Sequence, residues 1–128
     1  MNSSPKLNEI SVGTQYVYDN RLVRIIEYDT VIGEYRVTDN NGILVKIEEL
    51  LPISLTSKIL VIYGFEFELG VTYKYYNHGN ECIIKLNIID DYYYHEEYGD
   101  VRYLHQLQNL LIQKLGSIPF PLSEISVL

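Results

Sequence analysis

The sequence predicts an α+β fold. Antiparallel strands form an SH3-like bent N-terminal sheet and a second sheet, with a short central helix and one amphipathic C-terminal helix. Three observations predict it. Runs rich in β-branched residues and tyrosine recur at short spacing, which is strand patterning. Asp-Asn, Asn-Gly and Gly-containing turns separate them. A sustained helical stripe of leucines occurs once, near the C-terminus.

Residues 1–10 read as a lead-in. Val12 to Tyr18 forms the first strand run and ends at Asp19-Asn20, residues that tolerate positive φ. Arg21 to Tyr28 returns from it, and Gly33 breaks the chain before Glu34 to Thr38. Asp39-Asn40-Asn41-Gly42 carries the strongest hairpin signal, because Asn-Gly favours a type I′ turn, and Ile43 to Ile47 runs back. Four short strands this close in sequence predict a small, strongly bent sheet over residues 10–50.

Glu48-Glu49-Leu50-Leu51-Pro52 closes that run. Thr56 is placed to cap a helix from Ser57 to Tyr63, with Gly64 ending it and Leu55 positioned to staple onto Leu60. Phe65 to Leu69 alternates strictly and turns at Gly70. Val71 to Tyr76, Glu81 to Ile89 and Tyr92 to Tyr94 follow as strands. Val101 to Leu115 reads as the long helix, with Asp100 as its N-cap and Gly116 as its stop. Leu104, Leu107, Leu111 and Leu115 form its apolar stripe, which should lie on the second sheet of residues 65–116. Pro119 and Pro121 make the tail, residues 117–128, extended. Its apolar side chains should dock, either on the chain itself or on a second copy as a homodimer. One domain, 1–128, accounts for the whole pattern.

Composition narrows the function. The 128 residues carry a net charge of −7, which disfavours direct binding of nucleic acid or an anionic membrane and suits a partner with a basic surface. No apolar run approaches the roughly 18 residues of a membrane span, and no signal-peptide core is present, so the cytoplasm is the expected compartment. The single Cys82 excludes an internal disulfide, and its strand context predicts a buried, inert thiol. Tyrosine is abundant, 13 residues against 3 Phe and no Trp, which fits strands with a contact surface.

Order-preserving segments of the chain resemble a group of small proteins found in Bacteroides-type bacteria, their prophages and phages. The carriers are Val12-Gly13 with Tyr16, Val17 and Tyr18; Ile47-Glu48-Glu49-Leu50-Leu51-Pro52-Ile53-Ser54-Leu55-Thr56; Gly64-Phe65; and Tyr103-Leu104-His105-Gln106-Leu107-Gln108-Asn109-Leu110. The resemblance implies a phage or mobile-element accessory protein and implies no activity. The chain departs from the pattern after Ile112, where an additional apolar tail follows.

Residues 90–100 hold five carboxylates, four tyrosines and a histidine. Asp90, Asp91, Tyr92, Tyr93, Tyr94, Glu96, Glu97 and Tyr98 are the candidate partner-binding residues. Spaced carboxylates with interleaved tyrosines can mimic nucleic acid and fill a basic groove, as an inhibitor of a nucleic-acid-guided nuclease would. A solvated hairpin whose tyrosines cover the sheet is the alternative. Asp91, His95 and Glu96 lack the spacing of a calcium loop and the His or Cys content of a zinc site, so no metal or other cofactor is expected.

Tyr103, His105, Gln108 and Asn109 form a second candidate group on the C-terminal helix. They read as polar groups tied to nearby backbone, as a buried polar network, or as contacts to a small ligand such as a signalling nucleotide. Arg102, Lys74 and Lys85 are the cations near enough in sequence to serve a nucleotide. His78, His95 and His105 have no Ser or Cys at a recognised catalytic spacing, so no enzyme activity is expected.

Overall fold

The computed structural model describes residues 10–38 and 43–122. Two antiparallel sheets and two helices build an α+β fold. The first sheet has order β1-β2-β3-β4, with β1 Gln15–Tyr18, β2 Arg21–Asp29, β3 Glu34–Val37 and β4 Leu44–Val45. The second is a five-stranded meander of β5 Glu66–Glu68, β6 Thr72–Tyr76, β7 Cys82–Ile89, β8 Tyr92–His95 and β9 Gly99–Val101. Helix α1 spans Ser57–Ile62 and α2 spans Leu104–Leu115. Among the described residues no helix is long and apolar enough to cross a membrane.

The first sheet bends because β2 serves two partners in two registers. Tyr18 pairs with Arg21 across Asp19 and Asn20, which both take positive φ (51° and 60°), as a type I′ hairpin demands. A register shift between Ile25 and Glu27 then turns β2 toward β3. Thr38 holds the bend: its N–H donates to the Arg24 carbonyl at 2.9 Å, and its hydroxyl accepts from the Arg24 N–H at 2.8 Å. The concave side is filled by Tyr16, Val23, Ile25, Tyr35, Val37, Val45 and Leu50, all buried. The return strand is shorter than expected. Beyond Val45 the chain winds into one 3₁₀ turn, Ile47–Glu49, because the Glu49 carboxylate accepts the Lys46 N–H at 2.9 Å. The Asn40-Asn41-Gly42 turn lies outside the described residues.

The second core joins the helices to one face of the second sheet. Ile59, Leu60, Leu104, Leu107, Leu110 and Leu111 pack with Phe65, Tyr73, Ile84, Leu86 and Val101. Helix α1 begins as expected, with the Thr56 hydroxyl accepting from Ile59 N–H at 3.3 Å, and Leu55 and Leu60 share this core.

Helix α2 begins three residues later than the sequence suggests. Asp100 is not its N-cap. It sits in β9 opposite Tyr94, because pairing of β9 with β8 buries Val101 completely. The cap is Gln106, whose Oε1 accepts from the N–H groups of Arg102 (2.7 Å) and Tyr103 (3.1 Å). Gly116 ends the helix at φ +88°, as its sequence position implied.

Residues 50–55 stitch the two sheets together. Leu51 and Val17 exchange backbone hydrogen bonds at 2.9 Å, while Leu55 N–H donates to Arg102 and Leu104 N–H donates to Ile53. The tail seats on its own chain as far as Leu122, which is buried; Phe120 stacks on Tyr63 with ring centroids 4.9 Å apart. Leu122→Ala should lower the unfolding free energy by about 2–3 kcal/mol, and the half-exposed Phe120→Ala by about 1 kcal/mol. Urea unfolding checks this; two unchanged midpoints would mean that the tail is not seated.

Candidate functional site: the uncovered face of the second sheet

Both helices lie on one side of the second sheet, so among the described residues no helix covers the opposite side. Cross-strand register lays out that side. Thr72, Asn87, Tyr94 and Asp100 form one row, and Ile89 pairs with Tyr92 in the next. Lys74 and Lys85 face each other in a third row. Strand alternation thereby sorts the tyrosines that the sequence groups together. Tyr92 and Tyr94 share the uncovered face, whereas Tyr93 turns inward to meet Tyr73 edge-on at 5.8 Å. Tyr98 also packs against the core.

The carboxylates divide as well. Asp90 and Asp91 form the turn between β7 and β8, with Asp90 at φ +52°. Glu96 and Glu97 lie in the turn between β8 and β9. The four residues of β8 hold the two pairs on the order of 15 Å apart. Glu97 is bound to Lys114 of α2 at 2.8 Å, and that contact holds its carboxyl below the usual range. Asp100 lies 3.4 Å from the Arg102 guanidinium, which itself covers the Tyr92 ring at 3.8 Å. Farther across the sheet, Glu68 accepts from the Tyr76 hydroxyl and pairs with Lys74 at 3.3 Å. The hydrogen bond to Glu68 pushes the Tyr76 phenol up to about 12, and the same bond lowers Glu68.

His95 organises the second turn. It is buried, and its Nδ1 accepts from the N–H groups of Glu97 (3.2 Å) and Tyr98 (3.1 Å). Burial pushes its pKa down, Lys114 adds to that, and Glu97 and Glu96 oppose it. A small cleft opens at each end of β8. One, of 180 Å³, is lined by Asp91, Tyr92, Arg102 and Tyr103; the other, of 160 Å³, by Cys82, Lys85, His95 and Glu96. Cys82 is exposed rather than buried, because it opens β7 beside a register shift at Tyr75–Tyr76.

The helix group divides differently. Gln108 is fully buried. Its Oε1 accepts from Gln15 N–H at 2.8 Å, and its Nε2 donates to Gln15 Oε1 at 2.7 Å and to Tyr63 Oη at 3.1 Å. Gln15 in turn grips the tail, donating to the Leu122 carbonyl and accepting from its N–H, both at 2.8 Å. Burial raises the Tyr63 pKa, partly offset by Gln108. The network therefore spans the chain instead of returning to nearby backbone. His105 is buried between Tyr16 (5.1 Å) and Tyr103 (5.8 Å, nearly parallel), and Asn109 is half-buried. Sequence reasoning missed Gln15, since a glutamine in a strand carries no sign that it is buried. Among the described residues no three His, Cys, Asp or Glu side chains converge as a metal site requires.

Comparison with protein-family models, with curated proteins and with solved structures finds no match to the chain.

Gln108→Leu keeps most of the volume but removes the partner of the Gln15 N–H and of the Tyr63 hydroxyl and one of the two donors to Gln15 Oε1. It should cost about 2–4 kcal/mol in chemical denaturation, against about 0.5 kcal/mol for the exposed Glu96→Gln. His95 gives a pH dependence of known sign. Its folded pKa lies below the unfolded value of about 6.5, so stability is full above that pH and falls as the unfolded state takes up the proton first. Denaturation midpoints should drop as the pH falls below about 6.5. His95→Asn, which offers an oxygen acceptor to the same two N–H groups, should flatten the profile; an unchanged slope in the variant would assign it to other groups.

Proposed function

We propose that the chain is a non-catalytic binding module that docks a protein partner through the uncovered face of its second sheet. The observation that carries the reading is the one-sided placement of the helices, which leaves Ile89, Tyr92 and Tyr94 partly exposed beside the Asp90-Asp91 turn, with Arg102 lying over the Tyr92 ring and no helix of the described residues on that side. Tyrosines supply large contact area at low entropic cost, and neighbouring carboxylates select a basic surface. A net charge of −7 supports the same partner chemistry.

The sharper form of the proposal is an accessory protein of phage or mobile-element type that occupies the basic nucleic-acid groove of a host defence nuclease. The resemblance to small phage and prophage proteins supports that form. The division of the carboxylates refines it. Asp90 and Asp91 act with the tyrosines, and Glu97 is engaged by Lys114. Charge reversal should therefore be asymmetric.

The experiment is affinity capture from a host lysate with mass spectrometry, using four baits. Wild type should retain a basic, nucleic-acid-handling protein that added DNA displaces. Asp90→Lys with Asp91→Lys, or Tyr92→Ala with Tyr94→Ala, should lower retention by at least about tenfold. Glu96→Lys with Glu97→Lys should lower it by less than about threefold. Equal losses from both charge pairs would move the contact off this face, and equal retention by all four baits would end the proposal.

A further inference from the structure

A cleft lies away from the uncovered face. It has a volume of 450 Å³ and is walled by Val12, Ile26, Ile112, Ile118 and Pro121, where the lead-in to β1 and the bend of β2 meet the end of α2. Val12 and Ile26 remain well exposed there, so the walls are apolar surface still open to solvent. Among the described residues one charged side chain lines it, Arg24. Arg24 also lines an adjoining cleft of 170 Å³ and so stands between the two.

Arg24 differs from the other arginines. Arg21, Arg36 and Arg102 each lie within 4 Å of a carboxylate, on Asp19, Glu27 and Asp100. Among the described residues no carboxylate pairs with Arg24. Its backbone is fixed on both sides by Thr38, at 2.8 and 2.9 Å. A half-buried arginine whose backbone is fixed beside apolar walls suits a ligand with an anionic head and an apolar body. The volume falls in the range that encloses small organic ligands.

We propose that this cleft binds a small amphipathic organic anion, an acyl or aryl carboxylate, with Arg24 pairing its head group. The binding is independent of the protein-docking face. Arg24 has one competing role, since the C-terminal end of α2 at Gly116 lines the same cleft and carries partial negative charge. A guanidinium that merely offsets that helix end would affect stability and leave ligand affinity unmoved.

The test uses the full chain, with decanoate and 2-naphthoate as probes and decan-1-ol as the uncharged control. Isothermal calorimetry gives affinities, and amide chemical shifts give the location. The expected result is saturable binding of at least one acid below about 1 mM, with shifts centred on Gly13, Ile26 and Ser117. Arg24→Gln should weaken that acid about tenfold and leave decan-1-ol within about twofold. Ser117→Trp, which fills the cleft from an exposed position, should abolish both. The absence of saturable acid binding, shifts centred on Tyr92 and Tyr94, or equal acid affinity in Arg24→Gln would each overturn the proposal. Movement of the same resonances with protein concentration alone would assign the cleft to a second copy and overturn it as well.

Discussion

A pair of glutamine amides, Gln15 on β1 and Gln108 on α2, ties together parts of the chain 93 residues apart. Each amide in water would be satisfied by solvent. Buried, each must find its partners within the protein, and the two satisfy each other, the β1 backbone, the Tyr63 hydroxyl and the backbone of Leu122. The cores on either side are apolar and tolerate sliding, since hydrophobic contact is not directional. The amide pair does not tolerate it. Its geometry fixes where α2 sits against the first sheet, where α1 presents Tyr63 and where the tail runs.

Much of the fold was legible because it rests on local chemistry. Asp19-Asn20 announced a turn with positive φ, Thr56 announced α1, and the leucines from Leu104 to Leu111 announced a helix face. The start of α2 was not legible. Asp100 is a good cap in isolation, but pairing of β9 with β8 claims it, and a strand of three residues is too short to show a pattern. Tertiary pairing won over local propensity, and a side chain two residues inside the helix supplied the cap instead.

The candidate site was legible as composition and not as arrangement. Residues 90–98 are acidic and rich in tyrosine on inspection, yet alternation along β8 sends neighbouring tyrosines to opposite sides. Sequence proximity also hid the separation of the two acidic turns, because an extended strand carries them apart. Arg24 offered no signal at all. Its place in the proposed cleft rests on what surrounds it, namely the lack of a paired carboxylate among the described residues and the walls contributed by distant segments.

The shortness of β5 has a consequence for the protein in crowded solution. A chain this rich in strands risks growing by adding one molecule's sheet to the next, the route to fibrils. At the margin of the second sheet, β5 offers only Glu66, Phe67 and Glu68 as a template. Glu66 would meet its counterpart on an incoming copy, Glu68 is already tied to Lys74 and Tyr76, and Leu69, at φ +59°, turns the backbone away before a longer ribbon can form. The exposed Phe67 is thus left on an edge of three residues, too short a template along this border for an incoming strand to extend.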